Sequence, residues 1–375
     1  MSRPRALLAA VAALLLATAA AAPPAPSVPL DADGFRLAVP PWEFHFPHDH
    51  AAHQAFRTEW WYYNGHLRAG ARTYGYEATF FRLGLPARPT ANGRSAWRAR
   101  HVIFRHLALT DPQARRFRAD DRAERQALDM AGADSTRYLV WLGDDYAGLL
   151  PDRLTHRVVG HATEWAFDLT LTPEKPPVIH GHDGVSTKAS GVGNASHYYS
   201  LTRLSTRGRL VLNRDTLQVE GRSWMDHEFS SSRMSATHAG WDWFGVQLSD
   251  GRDLMLYRLR LRSGGDEPMS SGTLVEADGR ARHLPREAFT LRALREWRSP
   301  RTGARYPCRW SVRVPGEDLE LELSPVLDDQ ELVAASMGGL AYWEGRVRVI
   351  GRSGSQSVTG EGYVELTGYA GPTPF

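Results

Sequence analysis

Two stretches of the chain, 181 residues apart, share one pattern of aromatic, glycine and alternating residues. Residues 60–70 have the sequence WWYYNGHLRAG, and residues 241–251 have the sequence WDWFGVQLSDG. The same offset aligns Tyr76 with Tyr257. A repeat of this length is typical of a duplicated domain, because each copy must bury its own apolar face.

The ends of the two halves also match. Residues 167–173 (FDLTLTP) resemble residues 319–325 (LELELSP), and residues 219–226 (VEGRSWMD) resemble residues 358–365 (VTGEGYVE). Opening and closing segments therefore recur in the same order, which favours duplication over coincidence. We predict two similar domains, at residues 36–228 and 229–375.

Short runs of alternating apolar and polar residues dominate both halves. Residues 216–225, 319–323 and 346–350 alternate with a period of two, which is typical of antiparallel strands. The 34 glycines and 23 prolines fit tight turns between such strands. The pattern predicts an all-β protein with two tandem antiparallel β-barrels of eight to ten strands, each with room for one apolar ligand. Residues 112–130 and 285–297 are the two places where short helices or loops are expected.

The N-terminus has the layout of a cleaved signal peptide. Arg3 and Arg5 precede an apolar stretch at residues 6–16, and small residues follow at 17–19. We predict a signal peptide at residues 1–22 and a periplasmic or secreted protein; an uncleaved anchor helix is the alternative. No other stretch approaches 18 apolar residues, so no membrane-spanning helix is predicted.

Several kinds of site are excluded or unsupported. The formal net charge of +3 gives no reason to expect a nucleic-acid partner. Cys308 is the single cysteine, which excludes an internal disulfide, a thiolate zinc site and an iron–sulfur cluster. Residues 45–53 hold four histidines and Asp49, but their spacing matches no tetrahedral site, so we predict no metal and no cofactor. The motifs of the common hydrolases are absent from the sequence.

Residues 222–232 (RSWMDHEFSSS) concentrate acidic, imidazole and aromatic groups at a strand end. On a regular strand Trp224, Asp226 and Glu228 share one face, and His227 lies on the other. Desolvation beside Trp224 would raise the pKa of Asp226 and keep it protonated. Such an acid would protonate an alkene, the indole face would stabilise the carbocation, and His227 or Glu228 would orient water. Alternatively, these side chains cap a sheet edge and pair with arginines.

The second half has Glu365, Leu366 and Thr367 at the position of the triplet Asp226, His227 and Glu228. The first half thus carries titratable groups that the shared architecture does not require. We therefore expect the site in a cavity of the first barrel.

Three other segments hold candidate ligand-binding residues. Residues 57–67 place aromatics on both faces of a strand, which indicates burial on both sides. Glu59 and Trp61 share a face there, and a buried Glu59 needs a partner such as an arginine. Trp241, in the repeated aromatic segment, is a further candidate.

The stretch at residues 180–200 is rich in glycine and serine and is predicted to be a long loop that enters a strand at Tyr198. As a lid over the barrel mouth it would carry Lys188, His197 and Tyr199. The alternative is a flexible crossing loop without a role in binding.

These motifs together resemble the carotenoid 1,2-hydratase superfamily, and in particular its secreted AttH-type branch of lipocalin-like proteins. The resemblance rests on segments that run in order along most of residues 40–375: 59–67, 106–111, 184–188, 198–204, 223–229, 241–248 and 297–307. It implies two tandem lipocalin-like barrels after a cleaved signal peptide.

The resemblance also implies two alternative functions. Hydratase members add water to acyclic carotenoids without a cofactor, which would make Asp226 the proton donor, with Trp224, His227 and Tyr199 as cavity partners. AttH-type members accompany ABC-transporter permeases, which would make the chain a carrier of a hydrophobic small molecule for such a partner. Glu228 and Phe229 after the Asp-His pair fit the AttH-type branch better.

Overall fold

The computed structural model describes residues 28–86, 99–232 and 234–372, and the predicted signal peptide lies outside these ranges. The described chain is all β, as predicted, with 23 strands in two antiparallel sheets. Four helices of three residues, all of the 3₁₀ type, interrupt the strands: His48–His50, Arg286–Ala288, Pro315–Glu317 and Ala335–Met337. None of the helices in these ranges is long and apolar enough to cross a membrane.

The first sheet has thirteen strands, more than the eight to ten that we expected for a barrel. Its strands are β1 (Thr58–Ala69), β2 (Arg72–Gly84), β3 (His101–Asp111), β4 (Arg116–Arg125), β5 (Ala131–Ala133), β6 (Leu139–Leu142), β7 (Asp145–Leu149), β8 (His156–His161), β9 (Trp165–Pro173), β10 (Val178–Ile179), β11 (Ser186–Thr187), β12 (Ala195–Leu212) and β13 (Asp215–Ser230). The order is β4-β3-β2-β1-β13-β12-β9-β8-β7-β6-β5, with β10 and β11 paired to β12.

The second sheet has ten strands and follows the same plan. Its strands are β14 (His238–Leu248), β15 (Asp253–Leu261), β16 (Ser271–Val275), β17 (Ala281–Pro285), β18 (Thr290–Arg298), β19 (Arg305–Val314), β20 (Leu319–Pro325), β21 (Glu331–Ala334), β22 (Leu340–Ser353) and β23 (Gln356–Leu366). The order is β17-β16-β15-β14-β23-β22-β20-β19-β18, with β21 paired to β22.

The duplication is visible in the strand pairing. In each of the two lipocalin-like sheets the first strand along the chain pairs with the last, β1 with β13 and β14 with β23, so both strand orders share the same central pair. Tyr62 lies opposite Asp226 in the first barrel, and Trp243 lies opposite Glu365 in the second. The register therefore makes Asp226 and Glu365 structurally equivalent, as the sequence repeat indicates.

Part of the repeat is lost in the first hairpin of each half. Ala69 pairs with Arg72 across a two-residue turn, whereas Gln247 pairs with Asp253 across a longer one. Because the turn in the second half is longer, β15 is shifted along β14 by three residues relative to β2 along β1. A shift by an odd number of residues exchanges the two faces of a strand. Tyr76 consequently points into the first barrel and Tyr257 points toward the other barrel, so their predicted equivalence is wrong.

The predicted helix or loop at residues 112–130 is also wrong in part, because β4 occupies Arg116–Arg125. Every third residue of β4 is exposed and the others are half-buried, so its burial lacks the period of two that marks a strand. This strand lies at one edge of the described sheet order. Charged residues are common on such edges because they discourage pairing with another chain. The segment at 285–297 holds one short helix, Arg286–Ala288, and then becomes β18.

Alternation separates two apolar clusters on the same strands. Trp61, Tyr63 and Met225 point into the first barrel and belong to its core. Tyr62 and Trp224 point outward and pack against the second barrel. The segment 57–67 is thus buried on both sides, as predicted.

A buried ion-pair cluster joins the two barrels beside this outer face. The Asp253 carboxylate accepts from Lys175 Nζ at 2.7 Å and from Arg203 Nη2 at 2.6 Å. Thr202 Oγ1 donates to the same carboxylate at 2.9 Å. Because Asp253 starts β15 and its partners belong to the first half, the cluster fixes one barrel against the other.

Candidate active site between the barrels

A cavity of about 1370 Å³, counting the space at its mouth, lies between the two barrels. The expected location inside the first barrel is therefore wrong. The interior of that barrel is filled by its own aromatic and aliphatic side chains, so the space remains where the two outer faces meet. The walls combine aromatic rings from both halves with a few polar groups, which is typical of a small-molecule site. The aromatic side chains include Trp60, Tyr62, Phe81, Tyr198, Trp241, Trp243, Tyr257 and Tyr342.

Asp226 lines this cavity and is 3 % exposed. Its carboxyl group accepts from Trp224 Nε1 at 2.7 Å, from Tyr198 Oη at 2.8 Å and from Ser200 Oγ. Burial raises the pKa of Asp226 to about 7, the three hydrogen bonds offset part of that rise, and the nearby Glu228 charge adds to it. The pKa lies close to neutrality, where one group serves well as an acid or a base.

The alternation predicted for β13 is confirmed. Trp224, Asp226 and Glu228 face the region between the barrels, and His227 faces the interior of the first barrel. Trp224 donates its indole N–H to Asp226 and stays 2 % exposed. In this structure the indole therefore orients the carboxyl group by a direct hydrogen bond.

Glu365 is another of the acidic residues that line this cavity, with Asp226, Glu228 and Glu344. Burial raises its pKa to about 7, a hydrogen bond from Trp241 lowers it, and the charges of Asp226 and Glu228 raise it. Because the two carboxyl groups oppose each other's ionisation, protonation of one favours ionisation of the other. Such a pair can hold one acid and one base at neutral pH.

Glu365 was named from the sequence only as the counterpart of Asp226 and was not predicted as a site residue. The signal was already in the repeat, because the alignment of 219–226 with 358–365 ends on Asp226 and Glu365. Tyr198 and Ser200 were missed as site residues too. They alternate with Tyr199 on β12, so the same period of two would have placed them on the face of Asp226.

Lys188 and Glu228 form an ion pair at the cavity wall, with 3.3 Å between Nζ and Oε1. The ammonium also lies 5.1 Å from the Tyr198 ring centre and 4.2 Å from that of Tyr257. Burial lowers the pKa of Lys188, but the charge and hydrogen bond of Glu228, together with Tyr257 and the Asp226 charge, outweigh it and the net shift is upward. The loop before β12 thus contributes a cation to the cavity, and Ala189 and Asn194 beside it line the same space.

Five of the predicted site residues, Glu59 among them, lie away from this cavity. Tyr199 and His227 point into the first barrel, where Tyr199 Oη and His227 Nδ1 are 3.0 Å apart. Trp61 stacks on His227 in the same interior. His197 Nδ1 lies 2.9 Å from the Gly184 carbonyl oxygen, and its ring packs against Phe229. Trp241, by contrast, lines the cavity.

Glu59 lies at the centre of a polar network inside the first barrel. Its carboxylate accepts from Arg82 Nε at 2.9 Å, from His227 Nε2 at 2.9 Å and from His53 Nδ1 at 2.9 Å. Burial opposes ionisation, but the Arg82 charge and these hydrogen bonds outweigh it and hold the pKa well below its usual value. The predicted arginine partner is therefore present.

The same network recruits part of the histidine-rich segment at residues 45–53. His53 Nε2 lies 3.4 Å from Asp49 Oδ1, so carboxylates face both ring nitrogens of His53. Burial lowers the pKa of His53, but hydrogen bonds to both carboxylates produce a net rise. Among the described residues, His53, Glu59 and His227 are the group whose donor atoms lie close enough, within 4.8 Å, to bind a metal ion. A metal there would displace protons from both histidines and compete with Arg82 for the carboxylate.

Comparison with known proteins confirms the resemblance to the hydratase superfamily. The AttH-like family model matches residues 37–369. A crystal structure of an AttH candidate from Nitrosomonas europaea is 32 % identical, with a TM-score of 0.79 over 88 % of this chain and 98 % of that one.

Two fungal enzymes are more distant relatives. Kievitone hydratase from Nectria haematococca is 17 % identical, with a TM-score of 0.68 over 88 % of this chain and 93 % of that one, and it supports the fold. The dehydratase AsqC of Emericella nidulans is 21 % identical over 274 residues, which cover 71 % of this chain and 76 % of that protein. The chain is therefore similar to both a hydratase and a dehydratase.

Proposed function

We propose that this chain, which belongs to the AttH-like family, is a cofactor-independent hydratase or dehydratase that binds a hydrophobic substrate between its two barrels. The observation that carries the proposal is the pair of buried carboxyl groups, Asp226 and Glu365, each with its pKa raised to about 7 in one aromatic cavity. The names of the two fungal relatives support the same reaction class in either direction.

Asp226 is the proton donor in this proposal. Three donors from Trp224, Tyr198 and Ser200 hold its carboxyl group in one orientation toward the cavity. Hydration of an alkene needs a proton on one carbon and a hydroxyl group on the other. Protonated Asp226 supplies the first, and ionised Glu365 accepts the proton that water loses as it adds. Dehydration follows the same path in reverse.

The aromatic walls select an apolar substrate and limit the access of bulk water. The lining is mostly aromatic with a few polar groups, which is typical of a site for an apolar small molecule. Water excluded from such a site no longer competes for the carboxyl proton, and electrostatic interactions are stronger there than in solution. An exported chain, as the N-terminus predicts, would meet this substrate outside the cytoplasm.

The test replaces Asp226 without changing its size. Apolar alkenes, from acyclic isoprenoids such as geraniol to conjugated ketones, are incubated with the full chain in isotopically labelled water, and products are identified by mass spectrometry. For any substrate that is turned over, Asp226→Asn should reduce the rate by roughly 10²- to 10⁴-fold, the usual loss of a positioned general acid. Asp168→Asn is the matched control, because Asp168 pairs with Arg157 at the surface of the first barrel.

An unchanged rate in Asp226→Asn would show that Asp226 is not the acid. A ligand that binds tightly and is recovered unchanged, with no turnover of any alkene, would favour the carrier function instead. In that case the partner to test is an ABC-transporter permease, and transfer of the ligand to membranes containing it is the measurement.

A further inference from the structure

We propose that the Lys188 end of the cavity is an oxygen-binding subsite and that the substrate is a conjugated carbonyl compound rather than an isolated alkene. This inference rests on the proposed function for the reaction, but it concerns how the substrate is recognised. The inference depends on two hydrogen-bond donors, Ser196 and Lys188, that have more donor hydrogens than acceptors among the described residues.

Ser196 provides the first observation. Its hydroxyl group lines the cavity, the residue is 1 % exposed, and the described part of the chain offers Oγ no hydrogen-bond partner. A buried hydroxyl without a partner costs free energy, so a ligand that satisfies it binds more tightly. Ser196 shares the outer face of β12 with Tyr198 and Ser200 because the three residues alternate with inward-facing ones.

Lys188 provides the second observation. An ammonium group has three donors, and Glu228 is the carboxylate that pairs with it among the described residues. The aromatic faces of Tyr198 and Tyr257 attract its charge but accept no conventional hydrogen bond. Donors are therefore left for a ligand oxygen in the cavity that the unpaired Ser196 also lines.

The strand register fixes the backbone spacing between Glu228, at this subsite, and the acid Asp226. Tyr198 lies opposite Glu228, and Ser200 lies opposite Asp226, so the Lys188–Glu228 pair is two residues further along β13 than the acid. Two residues of an antiparallel strand are separated by roughly 7 Å along the backbone. A ligand that contacts both groups therefore has its oxygen within a few bonds of its reacting carbon, as in a conjugated carbonyl compound.

The charge of Lys188 also separates two mechanisms. Protonation of an isolated alkene produces a carbocation, and a nearby ammonium group raises the energy of a cation. Addition of water to a conjugated ketone instead moves the alkene electron pair onto the carbonyl oxygen, and the ammonium and the Ser196 hydroxyl stabilise that enolate.

The atoms balance over the whole step. The water oxygen bonds to the carbon distal to the carbonyl group, and one water proton passes to the Glu365 carboxylate. The enolate then collapses to the ketone as its α-carbon takes the proton of Asp226. The product is a β-hydroxy ketone, and exchange with solvent resets the two carboxyl groups.

Binding rather than turnover tests this inference, so its outcome is independent of the reaction. Isothermal titration calorimetry of the full chain compares benzylideneacetone with phenylbutene, which has the same carbon skeleton but no carbonyl oxygen. We expect the ketone to bind about tenfold to a hundredfold more tightly, as hydrogen bonds to a charged donor predict. Equal affinities in the wild-type chain would overturn the inference.

Two variants locate the effect. Lys188→Met should remove most of the preference for the ketone while keeping the affinity for the hydrocarbon, and Ser196→Ala should remove a smaller part of it. Ser205→Ala, at an exposed position of the same strand, is the control and should retain the preference. A preference that survives both Lys188→Met and Ser196→Ala would contradict the subsite. If the preference depends on Lys188 but Asp226→Asn leaves turnover unchanged, the subsite stands and the proposed catalytic role of Asp226 fails.

Discussion

The two faces of one strand pair carry buried carboxyl groups whose pKa values are shifted in opposite directions. Glu59 on β1 points into the first barrel, where Arg82 and two histidines hold its pKa well below the usual value. Asp226 on β13 points out toward the second barrel, where its direct hydrogen-bond partners among the described residues are neutral donors, and burial raises its pKa to about 7. Burial is nearly complete for both groups. The difference shows that the groups in direct contact with each carboxyl group, and not burial, decide which one is a structural anion and which is a usable acid.

We expect the largest effect on the free energy of unfolding from removing the cation that pairs with Glu59. Arg82→Met would leave the Glu59 carboxylate buried without its cation, which typically costs about 3–5 kcal/mol in the free energy of unfolding. Urea denaturation measures the loss. Arg157→Met is the matched control, because its pair with Asp168 is partly exposed and should contribute only about 0–1 kcal/mol. A loss in Arg82→Met as small as that in the control would show that Glu59 is not held as an anion.

The raised pKa of Asp226 predicts how the free energy of unfolding changes with pH. The pKa of Asp226 is raised from 3.8 to about 7, so its protonated form is favoured in the folded state. Its contribution to stability is fully present below pH 3.8 and is lost as the pH rises through about 7. A rise of this size corresponds to roughly 4 kcal/mol across that interval. Glu365, whose pKa is also raised to about 7, should add to the same loss.

Asp226→Asn removes this titration and should flatten the dependence of stability on pH between about 4 and 8. Unfolding curves across that range provide the measurement, with Asp168→Asn as the control. Retention of the full slope in Asp226→Asn would mean that Asp226 is already ionised in the folded chain at low pH. Glu59, with its lowered pKa, should contribute in the opposite sense and cause loss of stability as the pH falls through its folded pKa.

The smallest expected effect tests the hydrogen bonds around Asp226. Tyr198→Phe removes one of the three donors that favour the ionised form, so the pKa of Asp226 should rise further above 7. A neutral hydrogen bond contributes about 1 kcal/mol, which corresponds to less than one pH unit. The pH at which activity, or the Asp226 contribution to stability, is lost should move upward by that amount. A downward movement would contradict the assignment of Tyr198 as a donor to Asp226.

Two sequence patterns, the alternation along each strand and the internal repeat, predicted which face each site residue occupies and which residues are equivalent. The period of two placed Trp224, Asp226 and Glu228 on one face and His227 on the other, and the strand pairing confirms it. The repeat aligned Asp226 with Glu365, and the register confirms that as well. Both succeeded because a strand alternates its side chains whatever surrounds it.

Three other interpretations of the sequence were wrong or incomplete. The equivalence of Tyr76 and Tyr257 failed because three extra residues in one turn exchanged the faces of a strand. Tyr199 and His227 were grouped with Asp226 although they lie on the opposite side of the sheet. Glu365 was set aside because the partner that creates its site comes from the other half of the chain.

The amino-acid sequence by itself determined two β-barrels of common descent and the face of the strand on which each titratable residue lies, because local backbone geometry enforces both. The tertiary structure alone decided that the outer faces of the barrels meet. That contact desolvates Asp226 and Glu365, brings Lys188 and Ser196 to the same space, and leaves the interior of the first barrel to the Glu59 network. Desolvation and charge pairing depend on distances between segments far apart in the chain, and these distances exist only after the barrels have packed together.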